Sequence, residues 1–167
     1  AIEIATGEII SLNDADDVSH PQRLERQLYV MQKTKSFHNL CGFKHCYSQK
    51  DIEMVSGGNL YSTLPDEKDI IPANEVTSLV HKHFKIPGIN HYCIGQYETH
   101  GASCLFYKQH WKFGMKFLPG NMGLRCQISE DGDFNTKMTL LLQKTTVLKE
   151  PLYGYRRNTT TNTTWLE

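Results

Sequence analysis

Three groups of side chains in this sequence are of types that do chemistry. The first is His38-Asn-Leu-Cys41-Gly-Phe-Lys-His45-Cys46. Two imidazoles and two thiols within nine residues are a donor set for Zn²⁺, which takes sulfur and nitrogen in a tetrahedron. The His-x2-Cys spacing suits a tight turn, and Gly42 would let the chain fold back around an ion. Zinc held by His38, Cys41, His45 and Cys46 is the cofactor this reading expects. The paired Cys-x2-Cys of zinc ribbons occurs nowhere in the chain.

The second group needs a hairpin to bring it together. Residues Ile89 to Tyr97 and Ala102 to Lys108 can pair through the loop Glu98-Thr99-His100-Gly101. That loop sets Tyr97 opposite Ala102 and Cys93 opposite Phe106, with His91, Cys93 and Cys104 on one face. Cys93 and Cys104 then become diagonal neighbours, about 7–8 Å apart. A thiolate beside an imidazole is the minimum for nucleophilic catalysis. Cys104 or Cys93 with His91 is thus the pair for a thiol-dependent hydrolase or transferase.

The third group is the run from Phe106 to Phe117, where aromatic rings alternate with cations. Read as a strand, Tyr107, Lys108, His110, Trp111, Lys112 and Lys116 offer stacking faces and phosphate contacts to single-stranded nucleic acid, and Arg125 extends the patch. This is the leading functional expectation. It is tempered by charge: eighteen basic residues cancel eighteen acidic ones, so the surface as a whole is not built to grip a polyanion. If the rings and thiols instead fill the core, what remains is a protein-interaction module without catalysis. Pro65-Asp66-Glu67-Lys68 holds the letters of a nuclease core, but adjacent carboxylates do not converge on one ion. No Gly-rich phosphate loop, nucleophile elbow or His-Glu-x2-His pattern occurs.

The elements that must position these groups follow from periodicity. Ile2-Glu3-Ile4 and Ile9 to Leu12 read as a hairpin about Thr6-Gly7, broken by the short polar side chains of Asn13-Asp14-Ala15-Asp16-Asp17. A helix begins at Ser19, with Ser19 and Gln22 at capping-box spacing. Its apolar stripe is Leu24, Leu28 and Met31, and Arg23, Arg26, Gln27 and Lys33 lie off it. Residues 51–64 read as two short strands. A second helix, capped by Asn74, carries Val76, Leu79, Val80 and Phe84 on one face and stops at Pro87-Gly88. Beyond residue 89 the pattern is short β runs. The last of these is a hairpin through Glu130-Asp131-Gly132 that pairs Ile128 with Phe134 and Leu124 with Met138, with Cys126 in its core stripe.

The expected fold is α+β: two helices packed on a mainly antiparallel sheet. Residues 1–157 form one domain in this reading, and 158–167 a Thr-rich tail whose Leu166-Glu167 reads equally as a cloning remnant. Five cysteines, an odd number, suit reduced thiols and a cytoplasmic or other reducing compartment. No window nears the roughly 20 apolar residues of a membrane span, so no membrane partner is expected.

Overall fold

A computed structural model describes residues 1–84, 93–94, 97–98, 101–112 and 130–157. Along the chain the strands are β1 (Ile9–Ser11), β2 (Val18–Ser19), β3 (His38–Cys46), β4 (Ile70–Ile71), β5 (Cys93–Ile94), β6 (Tyr97–Glu98), β7 (Leu105–Tyr107) and β8 (Thr145–Arg156). The helices are α1 (Arg23–Thr34), α2 (Gln49–Ser56), α3 (Ala73–Phe84), α4 (Lys108–Lys112) and α5 (Glu130–Leu142), with single 3₁₀ turns at Glu67–Asp69 and Gly101–Ser103.

The main sheet runs β1-β7-β3-β8-β2, with β4 added to β8. The α+β class stands, but the sheet is mixed. Its two long central strands, β3 and β8, are parallel, while β7, β1, β2 and β4 join them antiparallel. Central parallel strands are covered on both faces and so lose the alternation that marks a half-exposed strand. His38 to Gly42 and Thr145 to Leu148 are accordingly buried at every position. Gly42 serves this packing rather than a turn. The β3–β8 register jumps from Cys41↔Leu148 to Gly42↔Pro151, and a Cβ on Gly42 would lie 2.6 Å from the Lys149 carbonyl oxygen.

Several expectations are corrected by the helices. The first hairpin is absent, since β1 pairs with β7 and residues 2–4 form a turn. Helix α1 starts at Arg23 behind an uncapped Gln22, because Ser19 is taken into β2. Its inner face is Arg23, Arg26, Gln27, Val30 and Met31, while Leu24 is 54% exposed. Residues 49–56 are helical, started by a Ser48–Asp51 capping box, where two strands were expected. Helix α3 packs through Val76 and Val80, as its spacing predicts. Residues 130–142 form α5 rather than the arm of a hairpin: Phe134, Met138 and Leu142 fall at i, i+4, i+8 and turn towards the core. In β5–β6, Cys93 lies opposite Glu98, not Phe106.

The core between the sheet and helices α3 and α5 holds Ile10, Leu40, Ile71, Val76, Phe106, Phe134, Met138 and Val147. Phe106 meets Phe134 edge to face at 4.9 Å. Inside this apolar layer His38 is fully buried. Its Nε2–H donates to Asn135 Oδ1 at 2.9 Å, and its Nδ1 accepts from the Thr145 hydroxyl at 3.0 Å. That pairing fits a neutral ring, and burial pushes its pKa down to about 3. Below pH 6.5 the unfolded imidazole takes a proton that the folded ring refuses. Its stabilising share is therefore complete above pH 6.5 and lost as pH falls. From pH 7.5 to 5 the unfolding free energy should drop by about 2 kcal/mol. Urea titrations across that range should show the drop, and His38→Gln should lose most of it.

Candidate functional site

Strand β1 is antiparallel to β7, which is antiparallel to β3, so β1, β3 and β8 share one direction. In register, Ser11 at the carboxyl end of β1 stands level with Leu105 of β7, Asn39 of β3 and Thr146 of β8. At the carboxyl end of β1 the chain leaves as Leu12-Asn13-Asp14-Ala15-Asp16-Asp17 and reaches β2 at the opposite edge of the sheet. Asp14 and Asp16 are exposed, whereas Asp17 is buried.

One side chain holds this acidic loop from beneath. Arg23 is fully buried at the first position of α1. Its Nη2 donates to the Leu12 carbonyl at 2.7 Å, the Ala102 carbonyl at 3.2 Å and Ser11 Oγ at 3.3 Å. Its Nη1 donates to Ser19 Oγ at 2.8 Å and Asn13 Oδ1 at 3.1 Å, and its Nε to Gln27 Oε1 at 3.0 Å. Gln27 passes the contact on, donating to Asn39 Oδ1 and the Ser103 carbonyl. The Arg23 guanidinium also lies over the Tyr153 ring, 5.0 Å from its centroid. The Tyr153 hydroxyl donates to Asp17 at 2.6 Å and accepts the Asp14 N–H at 3.2 Å. Burial, then the bond to Asp17, holds that phenol well above its usual pKa. Asp17 also accepts the Arg156 N–H at 2.8 Å, tying the loop to the end of β8.

A further carboxylate enters from α5. Asp131 Oδ1 accepts the Gly132 N–H at 2.8 Å. A Cβ on Gly101 would lie 1.7 Å from Asp131 Oδ2, so the carboxylate fills the space a side chain there would need. Asn135 donates to the Gly101 carbonyl at 3.4 Å. The 3₁₀ turn 101–103 thus stands between Asp131 and the Arg23 network.

The residues singled out in the sequence are placed elsewhere. His38, Cys41, His45 and Cys46 lie along one extended strand, whose ends are roughly 26 Å apart at about 3.3 Å per residue. His38 is occupied by Thr145 and Asn135, His45 accepts from Arg157 Nε at 3.3 Å, and Cys41 and Cys46 are buried. No group of three or more His, Cys, Asp or Glu side chains able to hold a metal ion occurs among the described residues. Cys104 is fully buried, and desolvation raises its thiol far above the range of a nucleophile; Cys41 is pushed up to about 11. His91 lies outside the described residues, and Cys93 sits in β5. The aromatic–basic run becomes strand only to Tyr107 and then turns helical. Phe106 and His110 are buried, Trp111 packs on the core, Tyr107 is half-buried, and Lys108 reaches back to the Ala5 carbonyl. Lys112 is exposed, while Lys116, Arg125 and Cys126 lie outside the described residues.

No protein-family model matches the sequence, and no curated protein matches it. Among solved structures, residues 1–349 of S. aureus TarS superpose with a TM-score of 0.55 at 16% identity, over 93% of this chain and 37% of that one. The same TarS fragment in complex with UDP-GlcNAc aligns with a TM-score of 0.49 at 12% identity, over 94% and 37%. The chain thus spans little more than a third of the TarS fragment, and what the two share is the fold.

The zinc, nucleic-acid-binding and hydrolase readings are corrected accordingly. The four proposed ligands lie along one extended strand and cannot converge, no metal-holding cluster occurs among the described residues, the nucleic-acid run turns helical after Tyr107, and the fold is one shared with the TarS fragment. Sequence reasoning passed over Asp14, Asp16, Asp17, Arg23 and Tyr153 and set Asp131 aside as a turn residue. Its available signal was three carboxylates in four positions directly after an apolar strand.

Two outcomes test this geometry. Tyr153→Phe removes one of the two donors on buried Asp17 and should cost about 1.5–3 kcal/mol of stability, read from urea unfolding. Alkylation mapped by mass spectrometry at pH 8 should leave Cys41 and Cys104 unmodified in the folded protein, and both should react once urea unfolds it.

Proposed function

We propose that this chain carries the acidic centre of a transferase that uses a nucleotide-activated sugar, with UDP-GlcNAc as the donor class. The observation that carries the reading is the conjunction of the TarS-like fold with a rigidly anchored acidic loop at the carboxyl end of β1. Transfer requires a base for the acceptor hydroxyl. In this proposal Asp131 takes the hydroxyl proton as the acceptor oxygen attacks the anomeric carbon. The bond from that carbon to the diphosphate breaks, and UDP leaves with the electron pair. Asp131 suits the task because the Gly132 N–H and the bare Gly101 fix its two oxygens, leaving one orientation for the carboxylate. Arg156, whose backbone N–H is joined to the loop through Asp17, offers positive charge to the departing diphosphate.

The test is calorimetric titration with UDP-GlcNAc together with an assay of UDP release. Binding is expected with a Kd below about 1 mM, a threshold worth about 4 kcal/mol. Asp131→Asn should slow UDP release about a hundredfold or more while leaving the Kd within about threefold. Absence of UDP-GlcNAc binding would overturn the reading.

A further inference from the structure

We propose that Arg23 is a positioning residue that sets the spacing between the two acidic parts of the site, the loop 12–17 and Asp131. The turnover arm of this inference rests on the function proposed above; the structural arm does not. Guanidinium geometry carries the argument. A planar fork of five donors can hold several acceptors in a fixed mutual arrangement, which a single ammonium cannot do. Here one nitrogen, Nη2, holds the Leu12 carbonyl of the acidic loop and the Ala102 carbonyl of the 3₁₀ turn together. That turn is where Asp131 rests, its Oδ2 against Gly101. The second terminal nitrogen takes Asn13, beside Asp14. The face of the group lies on Tyr153, whose hydroxyl accepts the Asp14 N–H.

Charge strengthens the inference. Arg23 is about as buried as any residue in the protein, yet no carboxylate among the described residues lies within ion-pair distance of it. A buried cation without a counter-ion is costly and calls for full hydrogen bonding. Six acceptors supply it, and five of them belong to the loop, its flanks or the 3₁₀ turn. If the group were there only to hold the helix to the sheet, an apolar side chain of similar volume would serve. Its bonds go instead to the loop that bears the exposed carboxylates and to the turn against which Asp131 packs.

Arg23→Lys keeps the charge and most of the volume but cannot bridge Leu12 and Ala102. Amide hydrogen exchange should rise about tenfold at Asp14 and Asp17, while the interior of β3 and β8 stays within about twofold. UDP release at saturating UDP-GlcNAc should fall about tenfold with the Kd changed less than about threefold. Should the lysine variant fail to fold, Asn13→Ala removes one loop-side acceptor at an exposed position and should act in the same direction, about threefold. A loop that keeps its protection overturns the inference, as does protection lost equally across β3 and β8. Local loosening with unchanged UDP release overturns the positioning role. If the unaltered chain does not bind UDP-GlcNAc, the functional proposal fails, and the exchange pattern alone decides whether Arg23 clamps the loop.

Discussion

The burial of one guanidinium organises this molecule. Arg23 sits where an amphipathic helix would ordinarily present an apolar side chain, and its charge has to be satisfied there without water. The surrounding chain supplies the acceptors, and so fixes its own course: the exit of β1 through Leu12 and Asn13, the start of β2 at Ser19, and the 3₁₀ turn through Ala102. At the hydroxyl end of the Tyr153 ring, Asp17 accepts the phenolic O–H and the Arg156 N–H. The cation meets the face of the Tyr153 ring and the carboxylate its hydroxyl, so the two charges share one aromatic side chain. Each charge is thereby solvated by the protein, and the loop between them inherits the rigidity of the strands that hold them.

The sheet makes that arrangement possible. Because β3 and β8 run parallel and lie at its centre, both are covered on two faces where they begin, and the acidic loop leaves β1 level with Asn39 and Thr146 at that same end. The bulge at Gly42 lets β8 take two extra residues, Lys149 and Glu150, between Leu148 and Pro151. Glu150 is then placed to pair with Arg26 of α1, a second buried arginine one helical turn from Arg23. Arg26 continues outward to the Thr63 carbonyl and lies over the Tyr61 ring at 4.2 Å. Helix α1 is therefore seated on the sheet by hydrogen bonds as much as by the contacts of Val30 and Met31.

This explains which parts were legible in the sequence. Helix α3 was, because Val76 and Val80 face an apolar layer and the 3.6-residue period is kept. The existence of α1 was legible but its inner face was not: a rule that seeks apolar stripes selects Leu24, which is exposed, and passes over Arg23, Arg26 and Gln27, which are buried. Helix α5 was hidden by Asp131-Gly132, a strong turn signal in isolation, which here opens the helix because Asp131 caps its own neighbour and packs on Gly101. Strand β3 reads in the sequence as a tight turn because its His and Cys residues suggest ligands. Buried at every position from His38 to Gly42, it shows no alternation there, and His38 and the Asn39 amide nitrogen find partners more than ninety residues away. Partners that distant cannot be read from local spacing.

The same reasoning separates polar residues that fill from polar residues that act. His38, Asn39 and Asn135 complete their hydrogen bonds within the core, and desolvation keeps the imidazole neutral, so nothing is left over for a ligand. The thiols of Cys41 and Cys104 are likewise silenced by burial. Along the loop the logic reverses. Asp17 spends its carboxylate inward on Tyr153 and Arg156, and that inward anchoring is what leaves Asp14 and Asp16 facing solvent on a backbone that cannot turn away. The loop thus carries both kinds of carboxylate, one buried that holds its shape and two exposed to solvent. In this chain the two kinds stand within four consecutive positions, which is why composition alone reads them as a break between strands.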